Sequence, residues 1–161
     1  MQVLFQGDLT NFEAKPNPGA VSQRDIVATN MATRGFWHRV LHDYSTRQVI
    51  FEVKNYSEIT NDDLRQVLSY SSGEYGRLAV IVFRSDKEGV GPTVKAWLRE
   101  IYHNHEHRLI LLMPTVVLQR CLKKLRTARK HDYTEKQMTK RLDDLVRRYV
   151  AIPSGRTSRR R

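Results

Sequence analysis

The chain has 161 residues, 40% of them hydrophobic, and a formal net charge of +11. It is long enough to bury one core and basic enough to favour a polyanionic partner such as DNA. No apolar run approaches the ~20 residues of a membrane span, no signal peptide is visible, and the single Cys121 excludes an intramolecular disulfide; the reading is a cytoplasmic protein with no membrane partner.

Met1 to Gly7 (MQVLFQG) looks like a protease recognition sequence used to remove tags, so residues 1–10 are read as a tag remnant or linker outside the fold. More protein is then expected upstream. Residues 11–153 are read as one domain, with a core over 11–113 and C-terminal helices over 114–150. Phe12 to Lys15 reads as a short strand, and Pro16 to Gly19 (PNPG) as a turn. Asp25 to Thr29 is the next strand. Phe36, Trp37, Val40 and Leu41 fall at helical spacing, and Gln48 to Lys54 is a strand. Thr60-Asn61-Asp62-Asp63 opens a helix with good N-terminal chemistry that runs to Ser72-Gly73. Leu78 to Phe83 and Leu109 to Met113 are continuous apolar runs of the kind buried on both faces of a sheet. Between them Val94, Trp97, Leu98 and Ile101 form a helical stripe. From Pro114 on, Val117, Leu118, Cys121, Leu122 and Leu125, and then Met138, Leu142, Leu145 and Val146, space as helices. The order predicts an α/β domain, a mixed central sheet flanked by helices. Ser154 to Arg161 carries four arginines and no apolar residue, and is read as a basic disordered tail.

The strand Gln48-Val49-Ile50-Phe51-Glu52-Val53-Lys54 carries the chemistry. Alternation puts Ile50, Glu52 and Lys54 on one face and Val49, Phe51 and Val53 on the other. Opposite charges at the rim of a buried sheet are costly unless they pair or hold a metal. If Asp25 lies on the adjacent strand, two carboxylates and a lysine converge. Such a pair of carboxylates can hold a hard cation, and the lysine can act on an attacking water. On spacing alone, the alternative is a salt bridge on an edge strand.

Asp25, then Phe51-Glu52-Val53-Lys54-Asn55-Tyr56, resembles the PD-(D/E)xK nuclease superfamily, in its Mrr-like and related restriction-endonuclease-like branches. Gln66-Val67-Leu68-Ser69-Tyr70 is similar to the Gln-x-x-x-Tyr helix of the RecB-type nucleases. The family usually has a helix before its first strand, for which this chain has little room. Gly35 to Asp43 reads as a helical insertion in the long gap from Asp25 to Glu52. The resemblance implies a restriction-endonuclease-like fold and a Mg²⁺ or Mn²⁺ ion held by Asp25, Glu52 and the backbone carbonyl of Val53. It implies catalytic roles for Asp25, Glu52, Lys54 and Gln66, with Lys54 positioning or activating water, and places Tyr70 at the border of the site as a nucleic-acid contact. The expected function is metal-dependent hydrolysis of DNA phosphodiester bonds, within a larger bacterial defence or DNA-processing protein. The alternatives are a catalytically silent DNA-binding module of the same fold and an RNA nuclease. A second copy of the chain, or an upstream domain of the same protein, are the protein partners compatible with this reading.

Other candidates weigh less. His103, His105 and His107 sit two apart, which on a helix is not one face, and read as a solvated turn. Cys121 reads as a buried thiol rather than a nucleophile. Arg120, Lys123, Lys124, Arg126, Arg129 and Lys130 are scarcely offset by acids until Asp132, and are read as contacts to a nucleic-acid backbone against the alternative of a solvated helix face. Nothing there resembles base readout.

Overall fold

The computed structural model describes every residue except 6, 17–23, 72, 126–130 and 151–161. Arg126, Arg129, Lys130 and the tail 154–161 therefore lie outside the described residues, as does most of the expected PNPG turn.

Five strands form one mixed sheet in the order of the chain. They are β1 (Leu9–Ala14), β2 (Ile26–Asn30), β3 (Gln48–Lys54), β4 (Leu78–Phe83) and β5 (Leu109–Pro114). The pairs β1–β2 and β2–β3 are antiparallel, whereas β3–β4 and β4–β5 are parallel. Parallel neighbours need long crossovers, and α3 (Asn61–Tyr70) and α4 (Pro92–Asn104) supply them. The continuous apolar runs of β4 and β5 are buried at every position, as strands covered on both faces must be. Three further helices are α1 (Gln2–Phe5), α2 (Gly35–Asp43) and α5 (Thr115–Leu125), and the last is α6 (His131–Val150), which runs against α1, α2, α4 and α5.

The N-terminal segment corrects the sequence reading. Leu4 and Phe5 are buried in the core, and the Phe5 ring lies 5.4 Å from Trp37 and 6.1 Å from Phe51. Large aromatics removed from water in this way contribute as much as any residue of the sheet. The segment is part of the fold. The first strand likewise starts at Leu9 rather than Phe12, and its Asn11, at φ 49°, marks an irregularity in the pairing with β2. A bulge of this kind blunts an open sheet edge.

One glycine is sterically required. Gly76 has φ +63°, and a Cβ there would meet the Ser45 carbonyl oxygen at 2.5 Å, so the turn into β4 closes only without a side chain.

Candidate active site

The site forms where β3 ends. Val49, Ile50 and Phe51 are fully buried, covered on both faces. Beyond Phe51 the cover gives way on one side: Val53 is 45% exposed, while Glu52 on the opposite face remains only 4% exposed. The apolar face expected for Val49, Phe51 and Val53 thus holds through Phe51 and ends there.

Antiparallel pairing brings Asp25 to this point. Ile26 pairs with Phe51, so the residue before Ile26 falls beside the residues after Phe51. β2 begins one residue later than the sequence suggested, which leaves Asp25 outside the ladder. Its carboxylate is free to take the place of a strand partner and accepts the Val53 N–H at 2.8 Å. Alternate backbone groups of a strand face opposite neighbours. Lys54 turns its carbonyl to β4, where Arg84 N–H donates to it at 3.1 Å. Val53 has the opposite parity, so its carbonyl points to the Asp25 side.

Glu52 and Lys54 share the face that meets α3. Lys54 Nζ lies 3.1 Å from Glu52 Oε1 and 3.5 Å from Asp63 Oδ1, and donates to Gln66 Oε1 at 2.8 Å. Gln66 Nε2 in turn donates to the Tyr70 hydroxyl at 2.6 Å. The i, i+4 spacing of Gln66 and Tyr70 thus puts them on one helix face, as expected. Tyr70, however, is only 4% exposed. Its role as a nucleic-acid contact is corrected to that of a buried support for Gln66.

One participant, Asp63, was not singled out in the sequence as part of the site. Asp63 is the third residue of α3 and closes a capping box with Thr60: Thr60 N–H donates to Asp63 Oδ2 at 2.9 Å, and Asp63 N–H donates to the Thr60 hydroxyl at 3.3 Å. Its other oxygen accepts from the Tyr56 hydroxyl and faces Lys54. The signal was present as helix-start chemistry, but a capping acid gives no sign in sequence that its second oxygen reaches a neighbouring strand.

The titrations follow from this packing. Burial raises the Glu52 pKa, with Asp25 and Asp63 adding to the effect and the hydrogen bond from Lys54 opposing it. Burial would lower Lys54, but Glu52, Tyr56 and Asp63 outweigh it and raise the ammonium above its ordinary value. Asp63 is pushed up by burial, yet Tyr56, Thr60 and Lys54 together hold it below the usual carboxylate range. Glu52 Oε2 is buried and has no hydrogen-bond partner among the described residues. Two carboxylates, Glu52 and Asp63, face the Lys54 ammonium, and Asp25 adds its charge to Glu52.

Among the described residues, no group of three or more His, Cys, Asp or Glu side chains is placed to hold a metal ion. Two carboxylates plus a backbone carbonyl are a smaller set, and they suit an ion that keeps several waters, as Mg²⁺ does. The unpartnered Glu52 oxygen and the Asp25 carboxylate fit such an ion.

The basic stretch of α5 divides. Lys123 and Lys124 are exposed, but Arg120 is paired with Glu88, which also accepts from Arg141 at 2.7 Å. The expectation that the stretch is scarcely offset by acids is corrected at Arg120, because Glu88 from the loop after β4 folds back onto the helix. Leu122, read as part of the apolar stripe, is 43% exposed. Cys121 is half-buried, and burial raises its thiol pKa, which disfavours the nucleophilic thiolate. His103, in the last turn of α4, and His105 and His107, in the turn that follows it, are exposed.

No helix among the described residues is long and apolar enough to cross a membrane. No family model matches the chain and no solved structure matches it. Among curated proteins, it is 39% identical over 163 aligned positions to the "Putative transposon gamma-delta 80.3 kDa protein" of Escherichia coli (strain K12). The alignment covers 100% of this chain, residues 1–10 included, and 23% of that relative. The chain therefore spans about a quarter of the length of the curated relative it matches.

Proposed function

We propose that this chain is a metal-dependent nuclease domain of the PD-(D/E)xK type that hydrolyses DNA phosphodiester bonds. The observation that carries the reading is the convergence of Asp25 and Glu52 across the β2–β3 pair, with a buried Glu52 oxygen left without a partner. A buried carboxylate oxygen without a hydrogen bond is expensive, and a divalent cation is the partner that removes the cost. The net charge of +11 suits a nucleic-acid substrate. The name of the curated relative places that protein in a transposon, a mobile DNA element, which is compatible with a domain acting on DNA.

Asp25, Glu52 and the Val53 carbonyl would hold Mg²⁺ or Mn²⁺. When bound, such an ion supplies Lewis-acid stabilisation of the phosphate oxygens and a more acidic water. The protein's own groups do the positioning. Lys54, held by Glu52, Gln66 and Asp63, is kept as an ammonium by its raised pKa. It therefore acts as a fixed positive charge that orients the attacking water and stabilises charge growing on the phosphate, rather than as a base. Gln66, itself held by the buried Tyr70, fixes the Lys54 ammonium in that position. Water adds to phosphorus and the bond to the 3′ oxygen breaks, leaving 5′-phosphate and 3′-hydroxyl ends.

Incubation of the protein with plasmid DNA and with RNA, in Mg²⁺ or Mn²⁺ and in excess chelator, tests this directly. DNA cleavage that stops in chelator is the expected result. Cleavage of RNA alone would transfer the same site to an RNA nuclease. Binding without cleavage under any metal would leave a silent nucleic-acid-binding module.

A further inference from the structure

Arg24 immediately precedes Asp25 and is the cation of the site's neighbourhood that the mechanism does not use. Its guanidinium lies 3.9 Å from the centroid of the Tyr75 ring and 5.4 Å from that of Tyr70. It makes no ion pair with any described carboxylate, and its buried Nε has no hydrogen-bond partner among the described residues. The side chain is nevertheless only partly buried.

An arginine held in this way is unusual in what it leaves free. Contact with aromatic faces fixes the plane of the guanidinium without consuming its in-plane N–H donors. Those donors match the paired oxygens of a phosphate, which they can take in a bidentate fork. Arg24 is also fastened to the site at both ends. Its backbone continues into Asp25, and one of its two rings, Tyr70, holds Gln66, which holds Lys54.

We propose that Arg24 grips a backbone phosphate of the nucleic acid flanking the scissile one, and so sets the register of the strand at the Asp25–Glu52–Lys54 site. This rests on the reading of that site as one that takes a phosphodiester backbone. Tyr70 and Tyr75 are then the platform that holds the guanidinium flat, and a cation unpaired among the described residues has a function that a packing role would not require.

The test measures binding in excess chelator, so it does not depend on cleavage. The affinity of a short fluorescein-labelled DNA duplex is followed by anisotropy over a series of salt concentrations for the wild type, Arg24→Met and Arg24→Lys. Arg24→Met keeps the apolar stem against the rings and is expected to lose about tenfold in affinity, the loss of one charge-assisted contact. Its log–log salt slope should fall by about one, as for a lost phosphate contact. Arg24→Lys should keep the slope but lose affinity, because it retains the charge and lacks the fork. Unchanged affinity and slope in Arg24→Met would overturn the proposal. If Arg24→Met does not fold, Arg24→Lys decides, since wild-type affinity in that variant would show that no bidentate contact is made. Failure of the nuclease reading would show separately, as wild-type protein that binds this duplex with the predicted Arg24 dependence yet never cleaves it in Mg²⁺ or Mn²⁺.

Discussion

Replacing Glu52 by Gln separates a metal-binding carboxylate from a structural ion pair. In the wild type, Glu52 is 4% exposed, one of its oxygens faces Lys54 at 3.1 Å and the other has no partner. Gln keeps the shape and can still accept from Lys54, which also retains Gln66 and Asp63. It removes a desolvated charge as well as an attraction, so metal-free stability should change by no more than about 1 kcal/mol, in contrast to the 3–5 kcal/mol lost when a buried pair is broken. The metal response should differ sharply. At a Mg²⁺ concentration about ten times its dissociation constant, a folded-state site gains about 1.4 kcal/mol, which in a protein of this size raises the melting midpoint by roughly 3–6 °C. Thermal melts with and without Mg²⁺ should show that shift in the wild type and not in Glu52→Gln. A pH series adds a check on sign. The folded pKa of Glu52 is raised, first by burial, so the group lends stability at pH below its unfolded value that is lost as pH rises through the folded value. Without metal, Glu52→Gln should therefore gain on the wild type as pH rises through that window. A collapse of the metal-free variant, or an undiminished Mg²⁺ shift, would refute the reasoning.

Lys54→Met should leave Glu52 and Asp63 facing each other without a cation, costing about 3 kcal/mol in the absence of metal. Its melting shift with Mg²⁺ should persist while turnover falls by about 10²–10³-fold; loss of the shift would show that Lys54 holds the ligands rather than the substrate. Phe5→Ala should cost about 3–5 kcal/mol in denaturant melts, as for a buried aromatic, whereas a negligible loss would return residues 1–10 to the status of a linker. Gly76→Ala should destabilise clearly in the same assay, because its Cβ would overlap the Ser45 carbonyl. Exchanging Lys123 and Lys124 for Glu should weaken DNA binding for every sequence tested and flatten its salt dependence; unchanged binding would make that end of α5 a solvated face.

The parts of this fold that were legible in sequence are those governed by a short period. Strand alternation placed Glu52 and Lys54 together, helix spacing placed Gln66 with Tyr70, and the apolar runs of β4 and β5 announced a sheet covered on both faces. What was hidden depends on contacts between distant segments. Phe5 lies in a stretch that reads as a cleavage sequence, and only the packing of Phe51 and Trp37 shows that it belongs to the core. Arg120 reads as an unmatched charge until Glu88 folds back from thirty-two residues earlier in the chain. Tyr70 was expected to contact nucleic acid, because helical spacing gives a face but does not say how deeply that face is covered. Asp63 was legible as a helix start and not as a neighbour of Lys54, since its two oxygens serve different segments.

The central claim is that Asp25, Glu52 and Lys54 form one hydrolytic site. Nicking of supercoiled plasmid by the wild type, Asp25→Asn, Glu52→Gln and Lys54→Met, each shown to be folded and compared at equal DNA occupancy in Mg²⁺ or Mn²⁺, tests it most directly. Relaxed circles are expected from the wild type and none above background from the three variants, although all four bind the plasmid. Nicking at the wild-type rate by folded Glu52→Gln or Lys54→Met would contradict the claim.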